Sequence, residues 1–182
     1  MVSPASSQFR SCALQLIDPK TLNNFIDCLS RLEMPLLGVP SRITPEFLYH
    51  LARMGHGDCL VVADSNFPSD SVANSCVVTQ VIRVSGSTAE VLKDILKLFP
   101  LDTYDPERLQ VMDRVDSDKA RDLHVPAYGH IAAAAGCTAD SLTYVERFEF
   151  YTRAKGSFCI VQTDDHTPYA NVIVSKGVIS SA

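Results

Sequence analysis

One short segment of the chain places a histidine and two carboxylates around a predicted buried strand. It reads His56-Gly57-Asp58, then the apolar run Leu60-Val61-Val62-Ala63, then Asp64. An imidazole titrates at about pH 6.5, so it can give and take a proton near neutral pH, and a carboxylate can bind a substrate hydroxyl. We therefore expect proton transfer by His56 on a polar ligand bound by Asp64, although a lone histidine is more often a surface or hydrogen-bonded core residue. Asp58 is expected to cap the turn into the strand.

The elements around this segment would hold it in place. Thr44 is a good N-cap, Pro45 suits a first helical turn, and apolar residues recur at helical spacing until Gly55 ends the helix. The β-branched run that follows is typical of a strand covered on both faces. In open α/β sheets, ligands bind outside the carboxyl ends of the strands, which is where Asp64 would lie.

Two later segments carry groups that can bind hydroxyls. Arg147 lies between a predicted strand and a predicted helix, where its guanidinium either holds a ligand or pairs with a neighbouring glutamate. Tyr169 and Asn171 alternate around Ala170, so on an extended backbone a phenol and an amide would point to the same face. Together these side chains would suit a polyol.

Strands and helices alternate along the rest of the chain. We predict further strands over 77–84, 109–112, 142–145, 158–161 and 172–174, and further helices over 88–99, 131–135 and 148–155. Thr88 is expected to cap the first of these helices. Residues 113–121 are charged enough to form a solvated turn or a helix start, and residues 164–168 have the composition of a turn. This alternation predicts an α/β sandwich with a largely parallel or mixed sheet.

Composition narrows the class of protein. A chain of 182 residues with 46% hydrophobic residues can build a proper core, and no apolar run approaches the roughly 20 residues of a membrane span. The formal net charge of -5 argues against nucleic acid and membrane surfaces as partners and suits a small neutral ligand. The six cysteines are scattered without a C-x-x-C pair, so we expect reduced, structural thiols and a cytoplasmic protein.

Other chemistries lack their usual motifs. The histidines show no H-E-x-x-H arrangement and no thiolate pair accompanies them, so a metal site is not expected. A G-x-S-x-G elbow is absent, and Cys59 and Cys159 lie in apolar runs where a thiol stays protonated. The chain also lacks the glycine-rich loops that hold dinucleotides or nucleoside triphosphates.

Residues 1–33 differ from the rest of the chain. They begin with a serine-rich, weakly patterned stretch, and a second methionine, Met34, precedes the better-patterned part. They lack the Arg-rich, acid-free character of a transit peptide and the apolar centre of a signal peptide. We predict an N-terminal extension over 1–33, disordered or upstream of an alternative start, and one domain over 34–182.

Four ordered motifs resemble the sugar mutarotase family that includes D-ribose pyranase and L-fucose mutarotase. They are Met54-Gly55-His56-Gly57-Asp58, Ala63-Asp64-Ser65-Asn66-Phe67-Pro68, Arg147-Phe148-Glu149-Phe150-Tyr151 and Tyr169-Ala170-Asn171-Val172-Ile173. The similarity runs from about Met34 to Val178. The ribose branch typically has Gly-Leu-Pro where Asn66-Phe67-Pro68 stands and a histidine near Arg147, so the chain is more similar to the fucose branch.

The resemblance implies a three-layer α/β/α sandwich that interconverts the anomers of L-fucose or a related pyranose. It makes His56 the proton donor and places the substrate on Asp64, Arg147, Tyr169, Ala170 and Asn171. The reaction protonates the ring oxygen and removes the anomeric hydroxyl proton, which opens the ring, and it needs neither cofactor nor metal. A noncatalytic sugar-binding or regulatory module on the same fold is the main alternative, and a metal-dependent hydrolase is a third.

We also expect a homo-oligomer with its site near or across a subunit boundary. Four aromatic side chains lie in segments near predicted strand ends, and a monomer rarely leaves such groups as one exposed patch. These are Phe67, Phe148, Phe150 and Tyr151. The resemblance adds that related bacterial mutarotases form rings whose subunits complete one another's pockets.

Overall fold

One mixed sheet organises residues 36–179, which are the residues that this computed structural model describes. Its strands are β1 Cys59–Ala63, β2 Ile82–Val84, β3 Leu109–Met112, β4 Thr143–Val145, β5 Cys159–Thr163 and β6 Val172–Ser175. They lie in the order β2-β5-β1-β6-β3-β4. Strand β6 is antiparallel to both of its neighbours, and the other pairs are parallel. The predicted mixed sheet is confirmed.

Helices cover both faces of this sheet. They are α1 Pro45–Arg53, α2 Ser69–Ala73, α3 Thr88–Ile95, α4 Asp116–Ala120, α5 Pro126–Ala134 and α6 Arg147–Lys155, with a 3₁₀ turn at Ala139–Ser141. Helices α1, α3 and α5 pack in one hydrophobic cluster, and α2 and α6 pack in the other. The implied three-layer α/β/α sandwich is therefore confirmed. None of the helices described in residues 36–179 is long and apolar enough to cross a membrane.

Strand β1 shows why a continuous apolar run forms a central strand. Side chains alternate across a strand, so Leu60 and Val62 join the cluster of α1, α3 and α5, while Val61 and Ala63 join that of α2 and α6. All four are fully buried. Only a run without polar residues can pack against apolar helices on both faces of the sheet. The strand also places the residues before it and the residues after it at opposite edges of the sheet.

Helix ends follow the predicted capping chemistry with one correction. The Thr44 hydroxyl accepts a hydrogen bond from Phe47 N at 3.2 Å, and Pro45 begins α1 as expected. The cap of α3 is Ser87 rather than Thr88, because Ser87 and Glu90 form a reciprocal capping box. The Thr88 hydroxyl instead donates to the carbonyl of Ala170 at 2.8 Å.

Other predicted boundaries change, and α5 begins at Pro126 rather than at residue 131. The strand over 77–84 shortens to β2, although the amides of Val77 and Val78 still donate to the carbonyls of Ser157 and Phe158. Helix α3 ends at Ile95 rather than residue 99, since a tighter turn follows. Helix α2 was not predicted, because five residues are too few to show a helical repeat. The extension predicted over 1–33 lies outside the described residues.

Candidate active site

A cavity of about 370 Å³ opens at one edge of the sheet. Its polar walls come from the carboxyl ends of β1 and β4, the amino end of β6, and helix α4. The lining includes Asp64, Asp118, Arg147, Tyr169 and Asn171. Because β6 runs antiparallel between β1 and β3, the turn before it meets the carboxyl ends of both neighbours. The volume is within the roughly 300–1,000 Å³ typical of small-molecule sites.

Asp64 and Asn171 form a buried pair at the base of this cavity, each 3% exposed. Asn171 Nδ2 donates to Asp64 Oδ2 at 2.7 Å, and the Asp64 amide donates to Asn171 Oδ1 at 3.0 Å. Asp64 Oδ1 accepts from the amide of Asn66 at 2.9 Å. Burial raises the pKa of Asp64 above its ordinary value, although the hydrogen bonds from Asn66 and Asn171 oppose that shift. The pair presents a rigid carboxylate to a ligand.

A tight turn, and not an extended strand, brings Tyr169 to the same cavity as Asn171. Tyr169 has φ 63°, in the left-handed region, and the amide of Asn171 donates to its carbonyl at 2.8 Å. The predicted shared location of the two side chains is correct, but the predicted backbone conformation is wrong. Ala170 is 1% exposed and its carbonyl is held by Thr88, so it acts as the anchor of this turn.

Arg147 begins α6 at the rim of the cavity. Its Nε donates to the hydroxyl of Tyr151 at 3.0 Å, one helical turn away, and this bond raises the pKa of the guanidinium. Glu146 caps the helix through the amides of Phe148 and Glu149, and Glu149 pairs with Arg153 at 2.9 Å. Sequence reasoning did not assign Tyr151 to the polar set, although its spacing of four residues from Arg147 was a usable signal.

His56 lies at the opposite edge of the sheet. The amide of Gly57 donates to the carbonyl of Lys176, just beyond the end of β6, whereas Asp64 lies beside the start of β6. Strand β1, five residues long, separates the two edges by about 17 Å at roughly 3.3 Å per residue. The expectation that His56 lies beside Asp64 is therefore wrong within one chain, because the buried strand that places both residues also holds them apart.

A second carboxylate, not found from the sequence, orients His56. Asp102 Oδ2 lies 3.0 Å from His56 Nε2, and Oδ1 accepts from the amide of Tyr104 at 2.9 Å. The Asp102 side chain is 6% exposed and that of His56 is 49% exposed. The Tyr104 amide and then His56 lower the pKa of Asp102. A buried carboxylate that holds one imidazole nitrogen leaves the other nitrogen to exchange a proton with a group outside the protomer. The two residues lie far apart in sequence, so no local motif joins them.

Lys176 and Gly177 hold this histidine and carboxylate together. Lys176 O accepts from Gly57 N at 2.9 Å, which fixes the His56 loop, and Gly177 N donates to Pro100 O at 2.8 Å, which fixes the Asp102 loop. A Cβ on Gly177 would lie 2.5 Å from Leu101 O. Only glycine allows the two loops to approach this closely.

The described residues 36–179 contain no group of three or more His, Cys, Asp or Glu side chains that could hold a metal ion.

Among known proteins, the model of the RbsD / FucU transport protein family matches residues 38–179 of this chain. A fucose mutarotase of Danio rerio is 51% identical over 148 residues, covering 79% of this chain and 94% of that protein. A fucose mutarotase of Homo sapiens is 46% identical over 149 residues, covering 80% and 95%. The crystal structure of the fucose mutarotase from Streptococcus pneumoniae in complex with L-fucose has a TM-score of 0.66 and 38% identity, covering 80% and 100%.

Proposed function

Since this chain belongs to the RbsD / FucU transport protein family, we infer that it is an L-fucose mutarotase, an isomerase that interconverts the α and β anomers of L-fucose. The observation that carries this conclusion is the polar cavity, whose carboxylate, guanidinium, phenol and amide converge at one edge of the sheet. Two fucose mutarotases that are 51% and 46% identical to the chain cover this domain. The same cavity would take closely related pyranoses.

The groups of the cavity fit the alternating donors and acceptors of a sugar. Asp64 accepts from hydroxyls, Arg147 donates to them, and Asn171 keeps Asp64 in place. Apolar surface from Phe67, Met112 and other residues completes the walls and supports the ring carbons. A pocket of this kind binds a neutral polyol without any ionic attraction.

Anomer exchange needs one acid and one base acting on a sugar that is already bound. The base takes the proton of the anomeric hydroxyl, the electron pair of that O–H bond forms the C1 carbonyl, and the bond from C1 to the ring oxygen breaks. The acid protonates the ring oxygen, and reclosure on the other carbonyl face reverses each transfer. An imidazole can act as a general acid and as a general base, and Asp102 orients the ring of His56.

We propose that His56 reaches the cavity of a second copy of the chain. The two halves of the required site lie at opposite edges of one protomer, so a neighbour that apposes these edges completes it. Tyr104, beside His56, is 80% exposed, and Phe148, beside Arg147, is 69% exposed. An exposed aromatic group at each edge supports a homo-oligomeric contact.

The aromatic patch predicted from the sequence needs correction in this context. Phe67 and Phe150 are buried, 5% and 0% exposed, because they pack between α2, α6 and the sheet. Phe148 remains exposed, and Tyr151 is partly covered beneath Arg147. The separation of His56 from the cavity therefore supports a homo-oligomer more strongly than the size of the aromatic patch does.

A noncatalytic sugar-binding module is the second candidate, and one observation favours it. A single protomer has the cavity without His56, which suits binding without proton transfer. Exchange spectroscopy by NMR on L-fucose decides between them. A mutarotase accelerates saturation transfer between the two anomeric protons at micromolar protein, whereas a binding module broadens the sugar signals without accelerating exchange. Parallel runs with D-ribose and D-galactose rank the substrates.

Cytoplasmic location and a removable N-terminal extension over 1–33 are further proposals. The four cysteines of the described residues, Cys59, Cys76, Cys137 and Cys159, are all free thiols, which supports a reducing compartment. The family match begins at residue 38, which supports a domain that begins near Met34.

A further inference from the structure

The phenol of Tyr169 makes two hydrogen bonds within the protein that the proposed function does not use. Its hydroxyl donates to Asp118 Oδ2 at 2.5 Å, and its oxygen accepts from the amide of Val115 at 3.3 Å. A distance of 2.5 Å between a hydroxyl and a carboxylate is that of a strong, charge-assisted hydrogen bond. All three residues line the cavity.

These two bonds decide what Tyr169 can offer to a ligand. A phenol has one proton to donate and two lone pairs that accept. The proton is held by Asp118 and one lone pair by Val115, so a single acceptor position remains. A sugar hydroxyl that meets Tyr169 must therefore act as the donor.

Asp118 is built to keep this arrangement. The hydrogen bond from Tyr169 and then that from Arg121 lower the pKa of its carboxyl, which favours the charged form that accepts from the phenol. Helix α4, which carries Asp118, has no buried residue of its own. It is attached through Asp118 and through an ion pair between Lys119 and Asp113.

We propose that Asp118 is a positioning residue that makes Tyr169 a dedicated hydrogen-bond acceptor for one sugar hydroxyl. This inference rests on the proposed function, because it assigns a role within the same cavity. Asp118 acts through Tyr169: without its carboxylate the phenol proton turns toward the sugar, and two donors then face each other.

The test is a double-mutant cycle on anomer exchange of L-fucose. Asp118→Asn keeps the size of the side chain, but its amide can donate to the phenol oxygen and release the phenol proton. We expect the KM for L-fucose to rise about tenfold, as for a lost hydrogen bond to a charged group, while kcat changes by less than about threefold. In a Tyr169→Phe background, the same substitution should change KM by less than about twofold.

Asp116→Asn is the matched control. It removes the same charge from an exposed position on the same helix, so KM should stay at the wild-type value. A wild-type KM for Asp118→Asn overturns the inference, and so do effects of Asp118→Asn and Tyr169→Phe that add, since Asp118 would then act independently of Tyr169. Thermal melting checks that each variant is folded.

The proposed function and this inference fail in different ways. A wild-type protein that exchanges no anomers removes the mutarotase assignment. In that case the double-mutant cycle is measured on the Kd for L-fucose, by titration calorimetry. Non-additive Kd values still support the role of Asp118. Wild-type exchange at the normal rate with an unchanged Asp118→Asn variant removes only the inference. A protein that neither exchanges nor binds L-fucose removes both.

Discussion

The two edges of the sheet carry side chains in different environments. At the edge with Asp64, the side chains of Asp64 and Asn171 are buried, hydrogen-bonded to each other and part of the lining of a cavity. At the edge with His56, the half-exposed imidazole is hydrogen-bonded to the buried carboxylate of Asp102 and is accessible from outside the protomer. The first arrangement suits recognition of a polyol, and the second suits transfer of a proton to something outside the protomer. The contrast supports the proposal that two copies of the chain, with these two edges apposed, form the unit of function.

The largest expected effect comes from removing the imidazole. His56→Ala should lower anomer exchange by about 10²-fold or more, the contribution of a positioned general acid or base, while the cavity still binds L-fucose. NMR exchange rates and titration calorimetry measure the two quantities separately. Near-wild-type exchange in a folded His56→Ala variant would remove this residue from the mechanism.

A second variant tests how the outward-facing edge is held. Gly177→Ala adds a Cβ only 2.5 Å from Leu101 O, so the Asp102 loop must shift. We expect a loss of about 1–3 kcal/mol in the free energy of unfolding and slower exchange, with the affinity of the cavity retained. Urea unfolding and sugar titration provide the measurements. Gly156→Ala is the control, because the nearest atom there is 3.4 Å from the added Cβ. Equal losses in both variants would contradict the account.

The two edges should also respond to pH with opposite signs. Burial raises the pKa of Asp64 above its ordinary 3.8, so the stability linked to it is present at low pH and is lost as the pH rises through the raised pKa. The pKa of Asp102 is lowered from 3.8, so its contribution is present above that value and is lost as the pH falls through the lowered pKa.

Urea unfolding of three proteins across about pH 3 to 6 checks these signs. The stability of the wild type relative to Asp64→Asn should decrease as the pH rises. Its stability relative to Asp102→Asn should increase over the same range. The same sign for both variants would show that the two carboxylates do not have the opposite environments described above.

The smallest effect is expected outside both edges. A chain that begins at Met34 should fold and keep its exchange rate, because residues 1–33 lack a core pattern and lie before the family match. Circular dichroism and NMR exchange rates test it against the full chain. An insoluble or inactive truncated protein would show that the segment packs on the domain and that the boundary is wrong.

The residues of the cavity are easier to predict from the sequence than the residues around His56. Asp64, Arg147 and Asn171 follow or precede predicted strands, and topology rules bring such residues to one edge. The separation of His56 from Asp64 follows from the length of β1, and that length was also in the sequence. Nearness along the chain misled the prediction because a strand is an extended spacer.

Other parts of the site depended on tertiary structure. Asp102 meets His56 through a loop fixed by Gly177, and Asp118 meets Tyr169 from a five-residue helix without buried side chains. Neither contact has a local pattern, because the two partners lie 46 residues apart in the first pair and 51 residues apart in the second. Such pairs are found only once the sheet order is known.

The central claim is that one site is shared by two copies of the chain, and mixing two inactive variants tests it most directly. His56→Ala lacks the imidazole, and Asn171→Ala lacks the partner of the buried Asp64. When the two are mixed and allowed to exchange subunits, random pairing restores about one quarter of the sites, each with an intact cavity and an intact imidazole. The account predicts that anomer exchange recovers to that fraction of the wild-type rate. Exchange that stays at the level of the separate variants, while light scattering shows that mixed oligomers have formed, would contradict it.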